Sequence, residues 1–320
     1  MGIEQSDTRT TPRLALGAAV MEFIMNRSEF IGLKALPLFQ TQLKTAVFNA
    51  ITRECLTKIP ETKRATGANY NRLNFETVEK DFSCVEHGLE GPLDDGERAL
   101  YSSDFAAELV TVEQVLGLIL LAQEYRVAQA LFNTTTFTGA ALYTDYSSAP
   151  WDNVASDAIG QVRAAKEKVR QNTGLEPNAL IIGKTNLDRL KANTAILDAI
   201  KYTSRVTEAV LLAAMADLFG VQQVLVGKAI RNTANKKLTF SGSDVWSDDY
   251  AMVAVVADNP MNLKSPSVGR TFLWTADSAV NPIVESYRDN TIRSEVFRVR
   301  HSAQEKVIDA YFAHLIKVDA

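Results

Sequence analysis

The run from Tyr101 to Asn133, YSSDFAAELVTVEQVLGLILLAQEYRVAQALFN, constrains this chain more than any other segment. Phe105, Leu109, Val112, Leu116, Ile119 and Leu120 recur at the helical period. Glu113, Gln114, Gln123, Glu124 and Arg126 fall mostly off that stripe. Ser103 or Asp104 supplies an N-cap. The pattern predicts one helix of about thirty residues, against a mean of about 11–12. Gly117 in its middle costs up to ~1 kcal/mol against alanine and marks a close approach or a bend.

What precedes the helix has no evident core of its own. Val20, Phe23 and Ile24 stand at helix-like spacing, and Pro37 interrupts the run FIGLKALPLFQ, so residues 1–50 read as an arm. Strand-like stretches follow around Cys55–Ile59 and Phe75–Val85, joined through ETKRATGANYNRLN, with turn chemistry at Gly67–Asn69. This is a long two-stranded loop over 51–100, closed by the acidic turn GLEGPLDDGER. An isolated hairpin is marginal in water, so it needs a surface to lie on, and a neighbouring subunit can supply one. A long helix behind such an arm points to an assembly protein before an enzyme.

The remainder reads as a mixed sheet with helices packed on it. Residues 152–171 are helical, with Val154, Ala158, Val162, Ala165 and Val169 on one face. Strands are expected at Ala179–Ile182, Val221–Val226 and within 245–258. Short helices are expected at 186–192 and from a Thr207 cap to a Gly220 stop. Near the C-terminus, Val284–Arg288, Arg293–His301 and Ala310–Val318 are strands. In the second, Phe297 and Val299 point one way and Arg298 and Arg300 the other.

A length of 320 residues exceeds the ~250–300 at which single cores stop growing, so two or more lobes are expected. Net charge is −4 and the sequence pI is about 5.6, which lacks the basic footprint of a nucleic-acid reader. The two cysteines, Cys55 and Cys84, read as reduced thiols. No run of 18 apolar residues occurs, so no membrane helix is expected, and the first residues lack an apolar signal region.

Candidate chemistry is sparse. Gly183-Lys184-Thr185 follows a strand, but Asn178 stands where a phosphate-binding loop requires glycine, and no loop separates strand from glycine. It reads as a strand–turn–helix junction. His87, His301 and His314 lack metal-ligand spacing, and no metal or cofactor is expected. Asp94-Asp95 and Asp248-Asp249 read as solvated turn acids rather than an acid/base pair. Lys63, Arg64 and Arg72 flank Tyr70 at the loop tip. They are either a solubilising tip or a contact for a neighbour's Glu90, Asp94, Asp95 and Glu97. Arg298 and Arg300 complete the interface candidates.

The order of these parts resembles the major capsid proteins of tailed bacteriophages, which share the HK97-type capsid fold. The resemblance runs through the arm motif FIGLKALPLF, the loop ATGANYNRLNF, a strand DFSCVEHGLEGPLDD, the helix end QEYRVAQALFN, and NALIIGKTNLDRL, MADLFGVQQVLVGKAIRN, WSDDYAMVAV and ESYRDNTIRSEVFRVRHSAQEKVIDAYFAHLIKV. It implies an α+β subunit with a defined division of labour. Residues 1–50 are an N-terminal arm, 51–100 an extended loop laid over the adjacent subunit, and 101–136 a spine helix. Residues 137–280 are an axial domain, 281–304 strands of a peripheral domain, and 305–320 a strand returning to the axial domain. It further implies a non-catalytic virion protein, assembled in the host cytoplasm as pentamers and hexamers of an icosahedral shell. Its partners would be a separate scaffolding protein, a portal, decoration proteins and packaged double-stranded DNA held without sequence preference. A nanocompartment shell of the encapsulin type is the alternative, and a nucleotide-dependent α/β enzyme using Gly183-Lys184-Thr185 the remote one.

Overall fold

The computed structural model describes residues 11–12, 29–51, 59–67, 69–72, 77–98, 104–200, 207–234, 238–277 and 281–319. The expected helix around Val20–Ile24 and the strand from Cys55 lie outside them, apart from Ile59, which is not in a strand. The arm contributes β1 (Thr11–Pro12), a one-turn helix α1 (Gly32–Ala35) and β2 (Leu38–Thr41). Pro37 ends α1 and starts the extended segment. A hairpin of β3 (Thr45–Ile51) and β4 (Thr77–Ser83) follows, then β5 (Val85–Asp94), a single turn α2 (Asp95–Arg98) and the spine helix α3 (Asp104–Leu131). Next come β6 (Tyr143–Asp145), α4 (Ala158–Thr173), β7 (Ala179–Gly183), α5 (Lys184–Ala192), α6 (Thr194–Ile200) and α7 (Glu208–Phe219). The chain closes with β8 (Gln223–Gly227), β9 (Ile230–Asn232), β10 (Gly242–Asp244), β11 (Tyr250–Ala254), β12 (Gly269–Trp274), β13 (Ile283–Asp289), β14 (Ser294–Val307) and β15 (Ala313–Lys317).

Two sheets organise the molecule. The first is ordered β1-β13-β14-β12-β2, with β5 on the other edge of β14. β14 is long enough to pair β13 along Ser294–Arg300, β12 along Ala303–Val307, and β5 along Ser294–Ala303. Its alternation is the expected one. Phe297 and Val299 are buried against Val112, Val115, Leu116, Ile119 and Leu120 of α3, and Arg298 and Arg300 lie on the opposite face. The second sheet, β6-β15-β11-β7-β8, is covered on both faces. Leu180, Ile182, Ala251, Val253 and Ile316 pack among the helices α4 to α7. Their neighbours Ile181, Met252, Ala254 and Leu315 pack against Val127, Ala128 and Leu131 of α3 and Ile31, Ala35 and Leu36 of the arm. Two covered faces explain why these strands read as unbroken apolar runs.

The spine helix therefore serves both sheets, its first half on one and its last turns on the other. By length and composition Ala106–Leu131 could cross a bilayer. Here it is a core helix, with Glu108, Gln123 and Glu124 buried inside the protein.

Several expectations change. The 51–100 loop is a hairpin that already begins at Thr45 and ends at Ser83, and GLEGPLDDGER is mostly strand β5 of the first sheet. β12 lies within 137–280 but hydrogen-bonds into the first sheet, as does arm strand β2, so sheet membership does not follow the division at 280. Likewise β14 runs past 304 to Val307. Helix α4 begins at Ala158, where Asp157 accepts from Gly160 N at 2.9 Å, which leaves Val154 outside the helix and exposed. Helix α6 was not expected. Buried Asn193 starts it by accepting from Ala195 N and Ile196 N. At the end of α7, Gly220 takes the left-handed conformation, φ 63°, as its stop.

Candidate subunit interface

The β3–β4 hairpin is rooted but not covered. Its register runs from Thr45 opposite Ser83 to Ile51 opposite Thr77. At the root Phe82 stacks on Phe272 of β12, centroids 4.4 Å apart, and Phe39 meets Phe272 edge-on. Buried Cys84 sits beside them, its thiol pushed up by burial. Away from the root, Val47 is 62% and Val78 46% exposed, and in the connecting loop Ile59 is 94% and Tyr70 75% exposed. A β-ribbon that leaves such side chains in water has apolar surface its own chain does not cover.

The tip is shaped by its own contacts. Glu61 accepts from Lys63 N at 2.9 Å, Asn71 Nδ2 donates to Glu61 O at 2.8 Å, and the Arg64 guanidinium lies 4.5 Å from the Tyr70 ring centre. Lys63 and Arg72 are exposed beside them.

The other predicted interface residues gather on the outer face of the first sheet. Arg298 Nη2 contacts Glu90 at 2.6 Å, and Tyr287 donates to the same carboxylate. Arg288 binds Asp95 through two bonds, 2.6 and 2.7 Å, and holds that carboxyl below its usual range. Arg300 reaches Glu285 at 2.8 Å and also pairs with Asp277. Asp94 accepts from Gly96 N at 2.8 Å, and Glu97 is exposed. Within the chain, Glu90 of β5 is engaged by Arg298 of β14, and Asp95 of α2 by Arg288 of β13.

One residue that binds the parts together was missed. Glu124, on the last third of α3, is 3% exposed. It accepts from Ile31 N at 2.9 Å, Gly32 N at 2.7 Å and Trp246 Nε1 at 2.7 Å. It thereby caps α1, and it joins the arm, the spine helix and the loop before β11. Burial pushes its carboxyl up, against the pull of the three donors. A side chain on Gly32 would meet Glu124 Oε2 at 2.6 Å, so glycine is required for the approach. Its helical position, off the apolar stripe, carries no local signal of burial. Only the arm and Trp246, both distant in sequence, reveal its burial.

The candidate chemical motifs resolve into structure. β7 passes into α5 at Gly183 without an intervening loop. Lys184 pairs with Asp188 at 2.6 Å, and Thr185 donates to Asp244 at 3.2 Å. His314 is buried between Thr144 Oγ1 and Ala141 O. Asp248, Asp249 and Asp319 cluster with ligand oxygens within 4.8 Å of one another. Arg189 faces them, 2.9 Å from Asp319 and 3.7 Å from Asp248.

A two-sheet α+β subunit with a long spine helix, a rooted but uncovered hairpin and an arm is the HK97-type capsid fold. No family model matches the chain. The major capsid protein of Burkholderia phage BcepMu is 26% identical over 276 residues, 85% of this chain and 87% of that protein. A phage-related protein of Bordetella bronchiseptica, solved as a crystal structure, superposes with a TM-score of 0.74 at 25% identity, over 97% of this chain and 98% of that one. The capsid of cyanophage P-SCSP1u shares the fold at a TM-score of 0.59 and 11% identity, over 100% of this chain and 92% of that one.

Proposed function

We propose that this chain is the major subunit of a tailed-phage head, a structural protein without catalytic function. The observation that carries the reading is the β3–β4 hairpin, rooted on Phe272 yet exposing Val47, Val78, Ile59 and Tyr70. Laid on an adjacent copy, it gains the burial its own chain does not supply. The similarity to phage major capsid proteins supports the same role.

In this reading residues 51–83 lie over the neighbour, the first sheet with α3 forms the peripheral part, and the second sheet forms the axial part around fivefold and sixfold centres. Scaffolding, portal and decoration proteins are its partners, assembly takes place in the host cytoplasm, and packaged double-stranded DNA is met without sequence preference. A net charge of −4 suits a container that must not grip DNA, since tight phosphate binding needs many Lys and Arg contacts. Deleting residues 60–72 tests the hairpin's role. The subunit should still fold, and sedimentation should show assembly blocked or weakened. Normal shells from the deletion would remove the hairpin from the account.

A further inference from the structure

The short β9–β10 ribbon carries an uncovered surface of a different kind from that of the long hairpin. Between Asp217 and Asp244 the chain has no acid and four bases, Lys228, Arg231, Lys236 and Lys237, in a protein whose net charge is −4. Over the same stretch Ile230 is 58%, Leu238 68% and Phe240 67% exposed. Large apolar side chains this exposed and this close together mark a contact surface, unlike single ones scattered over a protein.

The ribbon is held in shape by its own bonds. Beyond the paired strands, Thr233 N donates to Ser241 O at 2.8 Å, and Asn232 Oδ1 accepts from Ala234 N at 3.0 Å and Ser241 N at 3.1 Å. The Phe240 ring lies against Gly242, where even a Cβ would sit 3.0 Å from it. Gly242 is opposite Asn232, so the ring rests on the face that Ile230 shares. Arg231 points to the other face, where its guanidinium lies 4.5 Å from the ring centre of Tyr125 on α3. Asp244, the acid at the foot of the ribbon, accepts from Thr185.

Beside Ile230 the surface is concave. A groove of about 310 Å³ is lined by Phe30 of the arm, Gly117 and Leu121 of α3, and Ala229 and Ile230. Its charged lining residues, Glu29 and Lys228, have opposite signs, so the basic character comes from the ribbon. Leu118, next to Gly117, is exposed as well. An apolar groove beside a basic ribbon fits a helix with an apolar stripe and acidic flanks. Duplex DNA would meet the lysines with phosphate and leave Ile230 and Leu238 uncovered. A bilayer is flat where this surface is concave.

We propose that the β9–β10 ribbon and the groove beside it dock an acidic amphipathic helix of a partner protein. Ile230, Leu238 and Phe240 are the apolar anchors, and Lys236 and Lys237 select the sign of its charge. The site stands apart from the shell reading, because it is open on the single subunit and is tested there.

The test is fluorescence anisotropy with the unassembled full-length chain. The probe is a labelled leucine–glutamate peptide of about 18 residues, patterned as an amphipathic helix of five turns. Saturable binding is expected. Leu238→Ser combined with Phe240→Ser should weaken it about tenfold or more, as loss of central anchors does. Both side chains are exposed, so the Tm of this double variant should match wild type. Lys236→Gln combined with Lys237→Gln should weaken binding about threefold at low salt and less at high salt. The same peptide with lysine in place of glutamate should bind more weakly than either. No saturable binding up to about 1 mM, or equal affinity of wild type and the Leu238→Ser, Phe240→Ser variant, would overturn the site. So would tighter binding of a short DNA duplex or of anionic lipid vesicles, lost in the same variants. A concentration-dependent dimer in sedimentation that the double serine variant abolishes would give the face to a second copy instead and overturn the proposal.

Discussion

Replacing Glu124 by alanine strips an acceptor from three buried donors at once. Ile31 N, Gly32 N and Trp246 Nε1 all point at its carboxylate from 2.7–2.9 Å. An orphaned buried donor costs about 1–3 kcal/mol. The simple sum is reduced, because the desolvation cost of the carboxylate disappears with it and water can enter the space. The expected destabilisation is about 3–6 kcal/mol, or roughly 6–12 °C at about 2 °C per kcal/mol for a chain of this size. Glu124→Gln keeps the shape but turns an N–H toward a donor, and should cost about 1–3 kcal/mol. Denaturant unfolding of the dissociated subunit measures both. Trp246 is fully buried and packed edge-on against Phe132 at 5.2 Å, so the difference in fluorescence between the chain and its Trp246→Phe variant reports the event over the background of Trp151 and Trp274. Adding Trp246→Phe removes one orphan, so the double variant should be less destabilised than the sum of the singles by about 1–3 kcal/mol. A Glu124→Ala subunit within about 1 kcal/mol of wild type would refute the reasoning.

Other consequences are open to simple assays. Gly91→Val should lower subunit stability by about 1–3 kcal/mol, because even a Cβ there meets Val115 Cγ2 at 2.7 Å and would force β5 off the spine helix. Asp95 is depressed below 3.8 by Arg288, so its stabilising contribution is present above that value and lost as pH falls through the folded pKa. An acid titration of Asp95→Asn, followed by circular dichroism, should lack that part of the acid limb. Val47→Lys should change the Tm of the free subunit little, since Val47 is 62% exposed and lies directly opposite Asp81. It should suppress particle formation seen by light scattering.

Local pattern carried much of the architecture. The spine helix announced itself by an apolar stripe, and β14 by Phe297 and Val299 alternating with arginines, because each period is a property of neighbouring residues. β5 was hidden by its turn-forming residues. Gly91 is there because α3 approaches closely, and Pro92 is tolerated because β5 is an edge strand, paired among the described residues with β14 alone. The parallel pairing of β2 with β12, and so the arm's place in the first sheet, joins distant segments that no local pattern links. Glu124 was missed for a related reason: a polar residue off a helix's apolar stripe carries no local signal of burial until its partners from elsewhere are seen. The tip residues Lys63, Arg64, Tyr70 and Arg72 were legible as a cluster, and the acids set against them were not, since their arginine partners come from β13 and β14.

The central claim is that the uncovered hairpin closes a shell by lying on a second copy. Electron cryomicroscopy of the chain, expressed with its neighbouring genes, tests that most directly. The account predicts closed icosahedral shells in which one face of the hairpin, that of Val47 or that of Val78, and the loop to Tyr70 are buried against the adjacent subunit. Small uniform shells filled with protein cargo would move the chain to the nanocompartment role. Monomers or small oligomers alone, or shells in which the hairpin stays in solvent, would contradict the account.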